Sequence, residues 1–218
     1  MKHWIKIGLV LALAVGLSGC FGGSEEKQEY NKTAQQWYDA IEKSIGSGDL
    51  EKADKQFLSL RSEHMNSSLL PTAMLALAQA HMAEEEYLLA NYYLDEYLKR
   101  YGGGASADYA RFLKIKASFL GIHDINKDQK LVADTLGRCR EYLRSHGGSR
   151  YAPLVKTMVV RLQMAQYLLD ADIAHLYDRI GKEKAAQIYR KKAEKFLYKP
   201  EQIDNPEAGF LSAINPFD

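Results

Sequence analysis

EYLKRYGG, at residues 96–103, recurs 45 residues later as EYLRSHGG, at residues 141–148. In each copy apolar residues end a charged amphipathic segment, and a pair of glycines follows. Glycine readily adopts a positive φ, which commonly closes a helix at its C-terminus. We therefore predict that both copies are helix ends closed by a positive-φ glycine, and that the chain contains an internal repeat.

The residues before the first copy form two apolar stripes with helical spacing, the first of them starting after Pro71. Their alternation of large and small side chains is typical of tetratricopeptide repeats, in which two helices pack as a hairpin. The stripes are Met74, Leu77, Ala78 and His81, then Ala90, Leu94 and Tyr97; a shift of 37 residues towards the N-terminus gives Trp37, Ile41, Ala53, Phe57 and Leu60. The sequence predicts an all-α fold, a tetratricopeptide-type solenoid of about four to five helical hairpins.

The repeats follow one another along the chain. The first runs from about residue 33 to 65, the second from about 70 to 101, and the third starts at Ser106 and contains a long connector at residues 122–129. Cys139 falls on the same grid position as Leu94 and Phe57, which favours burial as a small hydrophobic residue. From Ser149 the pattern predicts a long helix that continues to Gly181, and then a last helix through Leu197 that Pro200 stops. We expect this region, from Ser149 to Leu197, to hold the fourth and fifth units.

Composition fits a globular helical protein and excludes several classes. With 46% apolar and 26% charged residues the chain can bury an ordinary core, so neither disorder nor a disulfide scaffold is indicated. The net charge is +1, and removal of the first 19 residues takes away Lys2 and Lys6 and leaves −1. Such a balance predicts no general attraction to nucleic acid.

The N-terminus resembles a bacterial lipoprotein signal peptide. A short basic region precedes an apolar run at residues 7–17, too short to span a membrane, and LSGC at residues 17–20 follows at once. This resemblance implies a Cys20 that carries an N-acyl group and an S-diacylglycerol, whose acyl chains would hold the protein on a membrane. The alternative is an ordinary signal peptide with a chance cysteine.

We expect four segments. Residues 1–19 are the signal peptide, and residues 20–32 are the lipidated cysteine with a flexible, Gly- and Glu-containing tether. Residues 33–199 form the repeat domain, and residues 200–218 are an irregular C-terminal tail that either covers the domain or docks on a partner. No aspartate follows Cys20, and by analogy with Gram-negative lipoproteins Phe21 favours the outer membrane.

No catalytic motif stands out, and we expect neither an enzyme nor a cofactor beyond the lipid. The sequence has no nucleophile elbow, zinc-protease motif or phosphate loop. His81 with Glu85, one helical turn apart, are weak metal candidates, since zinc needs further ligands and His81 also fits the core grid. His175 with Asp178 is no stronger a metal candidate, so no metal is expected.

The exposed positions of the first helices say more about function than the catalytic motifs do. Repeats of this type expose first-helix positions between the core residues along a concave groove. On the grid these positions are Tyr38, Glu42 and Ile45 in the first unit and Leu75, Gln79 and Met82 in the second. Either they bind an extended apolar peptide, or the apolar ones pack against the next hairpin.

Three motifs resemble the BamD family, the tetratricopeptide lipoproteins of the β-barrel assembly machine. They are SRYA at residues 149–152, RL at residues 161–162 and IAHLY at residues 173–177; KDQ at residues 127–129 also resembles a family Arg-Asp-Gln in the same connector. With the N-terminal motif, the resemblance covers nearly the whole chain.

The resemblance implies a function. In this family the C-terminal repeats dock on the periplasmic POTRA domains of BamA, accessory Bam lipoproteins can join, and the N-terminal groove is proposed to receive unfolded outer-membrane β-barrel proteins. Applied to this chain, it makes Tyr177, Arg179 and Arg190 the candidates for BamA docking, because tyrosine and arginine are enriched at interfaces. The alternatives are that Tyr177 is a core residue and that Arg190 is only solvated. Rival functions are another periplasmic repeat lipoprotein, such as a pilotin or an envelope-division coordinator, and a peptidoglycan-acting enzyme.

Overall fold

The structure is a computed structural model that describes residues 30–195. Its contacts divide the chain into the units Met1–Lys32 and Thr33–Asp218. The described part of the second unit contains eight helices and no strand: α1 Ala34–Gly46, α2 Leu50–Glu63, α3 Leu69–Ala83, α4 Tyr87–Tyr101, α5 Ala107–Leu120, α6 Gln129–Ser145, α7 Ala152–Arg179 and α8 Glu183–Ala193. Successive helices pair as four hairpins, and neighbouring hairpins pack on one another. The predicted all-α, tetratricopeptide-type fold is confirmed.

The first hairpin shows how local sequence sets helix ends. Thr33 begins α1 with a capping box, in which its hydroxyl accepts from the Gln36 backbone N–H and the Gln36 side chain accepts from the Thr33 N–H. Gly48 turns the chain with φ +76°, a value that other residues rarely adopt. Asp49 then caps α2 by accepting from the Lys52 backbone N–H.

The repeated stretch does end two helices, but the predicted reason for its glycines is wrong. Gly102 has φ −65°, and Gly147 is not among the described glycines with positive φ. A Cβ at Gly102 would lie 2.4 Å from the Leu98 carbonyl oxygen, and one at Gly147 would lie 2.9 Å from that of Leu143. The first glycine of each pair is therefore needed because the chain turns back too close to its own helix for a side chain.

The predicted helix bounds need three corrections. α3 starts at Leu69, before Pro71, because a proline in the first turn has no intrahelical hydrogen bond to lose. The predicted long helix is confirmed as α7, which runs unbroken for 28 residues with neither Gly nor Pro between Pro153 and Gly181. It pairs with α8, so the stretch expected to hold a fourth and a fifth unit forms one hairpin. α8 ends at Ala193, and Leu197 lies outside the described residues.

The second helix of every hairpin carries the same core positions. The small position is buried in all four hairpins and holds Ala53, Ala90, Thr135 and Ala186. The large position lies four residues later. In the first three hairpins it holds the buried residues Phe57, Leu94 and Cys139, and in the last hairpin it holds Arg190, which is exposed. Burial of Cys139 is thus confirmed, and it raises the pKa of the thiol to about 12.

The long connector of the third hairpin is held by its own side chains. Asp128 Oδ2 accepts from the backbone N–H groups of His123 and Asp124, each at 3.0 Å. Asp124 in turn accepts from the Asn126 N–H at 2.9 Å, and Ile122 is buried beneath the loop. The connector is an ordered turn fixed by the aspartate of the KDQ motif.

Among residues 30–195, no helix is both long enough and apolar enough to cross a bilayer.

Candidate functional site

One position of the first helix is polar and buried in each of the first three hairpins. It holds Ser44, His81 and Ser118, spaced 37 residues apart. Each contacts the second helix of its own hairpin: Ser44 donates to Gln56 at 2.8 Å, the His81 ring stacks on Tyr93 at 5.5 Å, and Ser118 accepts from Arg138 at 2.8 Å. A buried polar side chain is therefore a feature of this repeat position in the first three hairpins.

His81 joins the first two hairpins. Its ring is 1% exposed; Nδ1 lies 2.6 Å from Glu86 Oε2 and Nε2 lies 3.0 Å from Asp54 Oδ1. The Tyr93 hydroxyl donates to the same Asp54 oxygen at 2.6 Å. Asp54 belongs to α2, so two residues of the second hairpin form hydrogen bonds with one carboxylate of the first hairpin.

This arrangement favours a protonated histidine. Burial opposes the charged ring, but hydrogen bonds and Coulombic attraction from Asp54 and Glu86 outweigh it, so the pKa of His81 is raised above its ordinary value. With both ring nitrogens donating to carboxylates, neither has a free lone pair for a metal. Glu85, the metal partner considered from the sequence, lies in the α3–α4 turn with φ +60°, and no group of three or more potential metal ligands occurs within residues 30–195.

A second polar cluster joins the third hairpin to the fourth. The Tyr142 hydroxyl donates to Asp108 Oδ1 at 2.7 Å, and the Ser149 hydroxyl donates to Asp108 Oδ2 at 2.6 Å. The two hydroxyl oxygens lie 2.7 Å apart. Burial alone would raise the pKa of Asp108, but these two donors hold it below its ordinary value. Burial and the Asp108 charge raise the pKa of Tyr142 to about 12. The serine of the SRYA motif is thus part of a hairpin junction.

The tyrosine of the same motif also packs against the third hairpin. Tyr151 stacks on Phe112 with ring centroids 4.8 Å apart and planes 8° apart, and it contacts Tyr109 at 5.4 Å. Ala152 is buried beside it. The motif through which the sequence resembles a family therefore fixes how the last hairpin is placed on the preceding one.

The predicted groove residues differ in exposure. Glu42 and Gln79 are exposed, and Tyr38, Ile45 and Leu75 are half-buried with apolar surface against the core. Met82 corrects the expectation, because it is 9% exposed and belongs to the core cluster. Five of the six side chains are thus accessible on the first helices of adjacent hairpins.

The same surface extends into the third hairpin, which sequence reasoning did not include. The Tyr109 hydroxyl donates to Gln79 Oε1 at 3.1 Å, while Gln79 Nε2 donates to the Leu75 carbonyl at 3.1 Å. Tyr109 is half-buried and lies against Phe112 and Tyr151. A further 37-residue shift from Leu75 gives Phe112, the neighbour of Tyr109, which is the signal that could have found this extension.

Two clefts, of about 730 and 670 Å³, lie elsewhere, between α4, α5 and α6. Both are bordered by Lys114, which pairs with Asp95, and by Arg138, which donates to Ser118. Neither cleft includes a residue of the predicted groove.

The three docking candidates lie on the last hairpin in different settings. Tyr177 is half-buried and stacks on Tyr189 with centroids 5.6 Å apart. Arg190 pairs with Asp178 of α7 and with Glu183 Oε1 at 3.2 Å, so it stabilises the hairpin itself. Arg179 is exposed at the last position of α7. Cys20, the predicted lipid site, and the tail at residues 200–218 lie outside the described residues.

Comparison with known proteins assigns the family. Residues 30–195 match the YfiO family model, described as an outer membrane lipoprotein. The chain is 37% identical to the outer membrane protein assembly factor BamD of Helicobacter pylori over 200 residues, 91% of each chain. It is 25% identical to the BamD of Caulobacter vibrioides over 150 residues, 68% of this chain and 49% of the relative. The chain therefore belongs to the YfiO family of outer membrane lipoproteins, to which its sequence motifs point.

Proposed function

We propose that this protein is a lipid-anchored scaffold subunit for outer-membrane protein assembly. The observation that carries the proposal is the alignment to the Helicobacter pylori assembly factor, which spans 91% of both chains and so includes all four hairpins. The names of the relatives describe assembly factors, a non-enzymatic role, and this favours a scaffold over a peptidoglycan-acting enzyme.

The first-helix surface is the proposed site for unfolded β-barrel proteins. Tyr38, Ile45, Leu75 and Tyr109 offer apolar area beside the hydrogen-bonding groups of Glu42 and Gln79. An unfolded barrel strand alternates apolar and polar side chains. Such a segment can place its apolar side chains on the aromatic and aliphatic residues while its backbone bonds to the polar ones. Met82 contributes packing beneath this surface.

The last hairpin is the proposed docking end for the POTRA domains of BamA. Arg179 supports this role best, because it is exposed and no ion pair or hydrogen bond of its side chain is described, whereas Arg190 is held by two carboxylates of its own chain. Tyr177 contributes through its stack on Tyr189, which supports the surface next to Arg179. Accessory Bam lipoproteins are further partners of the proposed complex.

The proposed anchor is Cys20, modified by N-acyl and S-diacylglycerol groups, with the repeat domain on the periplasmic face of the outer membrane. The family description as an outer membrane lipoprotein supports this placement. Cys20→Ala is expected to move the protein from the membrane to the soluble periplasmic fraction; retention of the variant at high salt would refute this anchor.

Affinity purification from detergent-solubilised membranes tests the function. The tagged protein is expected to recover BamA, and Arg179→Glu is expected to lower that recovery several-fold across a salt series. Lys156→Glu, an exposed site early in α7, is the matched control and is expected to recover BamA at the wild-type level. Recovery of pilus or division proteins without BamA would contradict the proposal and support the rival repeat-lipoprotein functions.

A further inference from the structure

The third hairpin is more open than the other three. Eight residues join α5 to α6, whereas three residues join the two helices of each other hairpin. Within residues 30–195, α5 and α6 contact each other over a smaller part of their length than the helices of any other hairpin. The two clefts between α4, α5 and α6 lie along this opening. The described chain therefore leaves the seam of this hairpin partly unfilled.

The larger of the two clefts, which we call the α6 cleft, combines an apolar floor with a charged rim. Leu98 and Ile115 supply apolar area, and the exposed residues Ala133 and Gly137 lie on its α6 side. Its volume of about 730 Å³ falls in the range of pockets that enclose a small ligand. The α6 cleft can therefore hold a short segment of another chain, but not a folded domain.

Gly137 has no role in the packing of the described chain. It lies in the interior of α6, where glycine destabilises a helix relative to alanine. It is not among the described glycines with positive φ, and a Cβ built on it would meet nothing within 4 Å. Neither the backbone conformation nor a neighbouring side chain therefore requires a glycine here. The glycine instead leaves the backbone of α6 open to the cleft.

Two arginines of the rim have no carboxylate bonded to them among residues 30–195. Arg111 donates to the Gly102 carbonyl oxygen at 2.7 Å, and Arg138 donates to the Ser118 hydroxyl at 2.8 Å. A guanidinium group has five N–H donors and binds carboxylates more strongly than neutral acceptors. Both arginines therefore retain donors for the carboxylates of another chain.

The acidic side chains beside the cleft are already engaged. Asp108 accepts from two hydroxyls, and three more acids form ion pairs within the chain: Asp134 with Lys130, Glu141 with Arg144, and Asp95 with Lys114. Basic and acidic residues number two and two in α4, three and one in α5, and four and two in α6. The acids of the connections, at residues 84–86 and at Asp124 and Asp128, lie at the opposite end of these helices, where Glu85 and Glu86 border the smaller cleft. The helices around the α6 cleft thus carry a basic excess.

We propose that the α6 cleft docks a short acidic segment of a partner protein. The backbone of the segment lies against Gly137, and its carboxylates accept hydrogen bonds from Arg111 and Arg138. A peptide fits better than the phosphate group of a lipid or a nucleic acid, because Asp134 and Glu141 border the same cleft. These carboxylates repel a phosphate but accept from the N–H groups that a peptide also offers. The cleft shares no residue with the two surfaces of the proposed function, so the proposal does not rest on that function.

Fluorescence anisotropy with the purified full-length lipoprotein in detergent tests the proposal. The probe is a labelled ten-residue peptide of alanine and leucine that contains three glutamates, and the comparison peptide has lysines in their place. We expect the glutamate peptide to bind about tenfold more tightly than the lysine peptide. Arg111→Gln with Arg138→Gln is expected to weaken its binding about tenfold, because two charge-assisted hydrogen bonds are lost. Arg140→Gln, at an exposed arginine of α6 outside the cleft, is the matched control and should leave the affinity unchanged.

Gly137→Leu tests the close approach of the backbone. Leucine forms helices better than glycine, so α6 should keep its structure while the new side chain fills the cleft. We expect the glutamate peptide to bind this variant about tenfold more weakly than the wild type. Gly103→Leu, at a glycine outside the cleft with equally open surroundings, is the control and should bind as the wild type does.

The proposal is overturned if the glutamate peptide does not bind, if both peptides bind equally, or if either cleft variant binds as the wild type does. Displacement of the probe by inorganic phosphate as readily as by the unlabelled glutamate peptide would identify a general anion site instead. A dimer of the chain that Gly137→Leu dissolves would identify a second copy as the occupant. Because BamA is absent from this assay, each of these results leaves the proposed function untouched.

Discussion

The first three hairpins and the last one follow the same repeat but use its second helix differently. The large core position is filled by Phe57, Leu94 and Cys139 in the first three and by Arg190 in the last. The preceding small position stays buried throughout, including Ala186 in the last hairpin. The last described hairpin therefore keeps the close approach of its two helices, but replaces an apolar contact with a surface ion pair.

The largest loss of stability should come from removing a buried apolar side chain at the large core position of the second helix. Phe57→Ala deletes a buried ring that also makes an edge-on contact with Tyr93 at 5.4 Å, and we expect a loss of about 3–5 kcal/mol in the free energy of unfolding. Urea denaturation followed by circular dichroism measures it. Leu58→Ala, at the exposed neighbouring position, is the control; similar losses for both variants would show that the second-helix core position is not special.

A smaller loss of unfolding free energy is expected from substitution at the repeated glycines. Gly102→Ala forces a Cβ against the Leu98 carbonyl, and the resulting shift should cost about 1–3 kcal/mol of unfolding free energy. Gly103→Ala meets nothing within 4 Å and should be close to neutral in thermal unfolding. If the two substitutions had equal effects, the close approach of the chain to its own helix would not explain why a glycine is needed at Gly102.

The buried histidine distinguishes the first hairpin junction from the last by its pH dependence. The pKa of His81 in the folded state is raised above its unfolded value near 6.5, so its protonation stabilises the fold. This contribution is fully present below the unfolded pKa and is lost as pH rises through the folded pKa. We expect His81→Gln to lower stability at pH 5–6 and to flatten the decline of stability as pH rises above the unfolded pKa.

Urea titrations at a series of pH values check this expectation. His123→Gln, at an exposed histidine of the connector, is the control and should retain the wild-type slope. A His81→Gln variant whose stability still declined with the wild-type slope would mean that the pKa of His81 does not differ between the folded and unfolded states.

The smallest change in stability is expected from a substitution in the last hairpin, at Arg190. Arg190→Ala removes a solvent-exposed pair with Asp178 and Glu183, and exposed pairs contribute little because water and salt screen them. The thermal midpoint of the described fold should stay within experimental error of the wild type. A shift approaching that of Phe57→Ala would show that Arg190 acts as a core residue of the array.

Residue spacing predicted the hairpins because every unit repeats the same pattern of large and small side chains. It could not predict what depends on a particular backbone path. The glycine pair needed no positive φ, Met82 turned inward, and the region expected to hold two units formed a single hairpin. Local periodicity describes which face of a helix is apolar, but not how deeply a neighbouring helix covers it.

The polar junctions were missed for a different reason. Asp54 lies 27 residues from His81 and 39 from Tyr93, and Asp108 lies 41 residues from Ser149. No short motif contains both partners of any of these three bonds. The SRYA motif was found as a family resemblance, whereas its serine and tyrosine proved to join two hairpins. The binding residues on both proposed surfaces remain predictions, since exposure alone does not identify what they contact.

Crosslinking in intact membranes tests the central claim, that one surface receives substrate while the other docks the scaffold into its complex. A photoreactive residue at Leu75 on the first-helix surface should capture newly made β-barrel proteins, and the same residue at Arg179 on the last hairpin should capture BamA. The two positions should not exchange partners. Capture of BamA from Leu75, of substrates from Arg179, or of neither protein from either position would contradict the account.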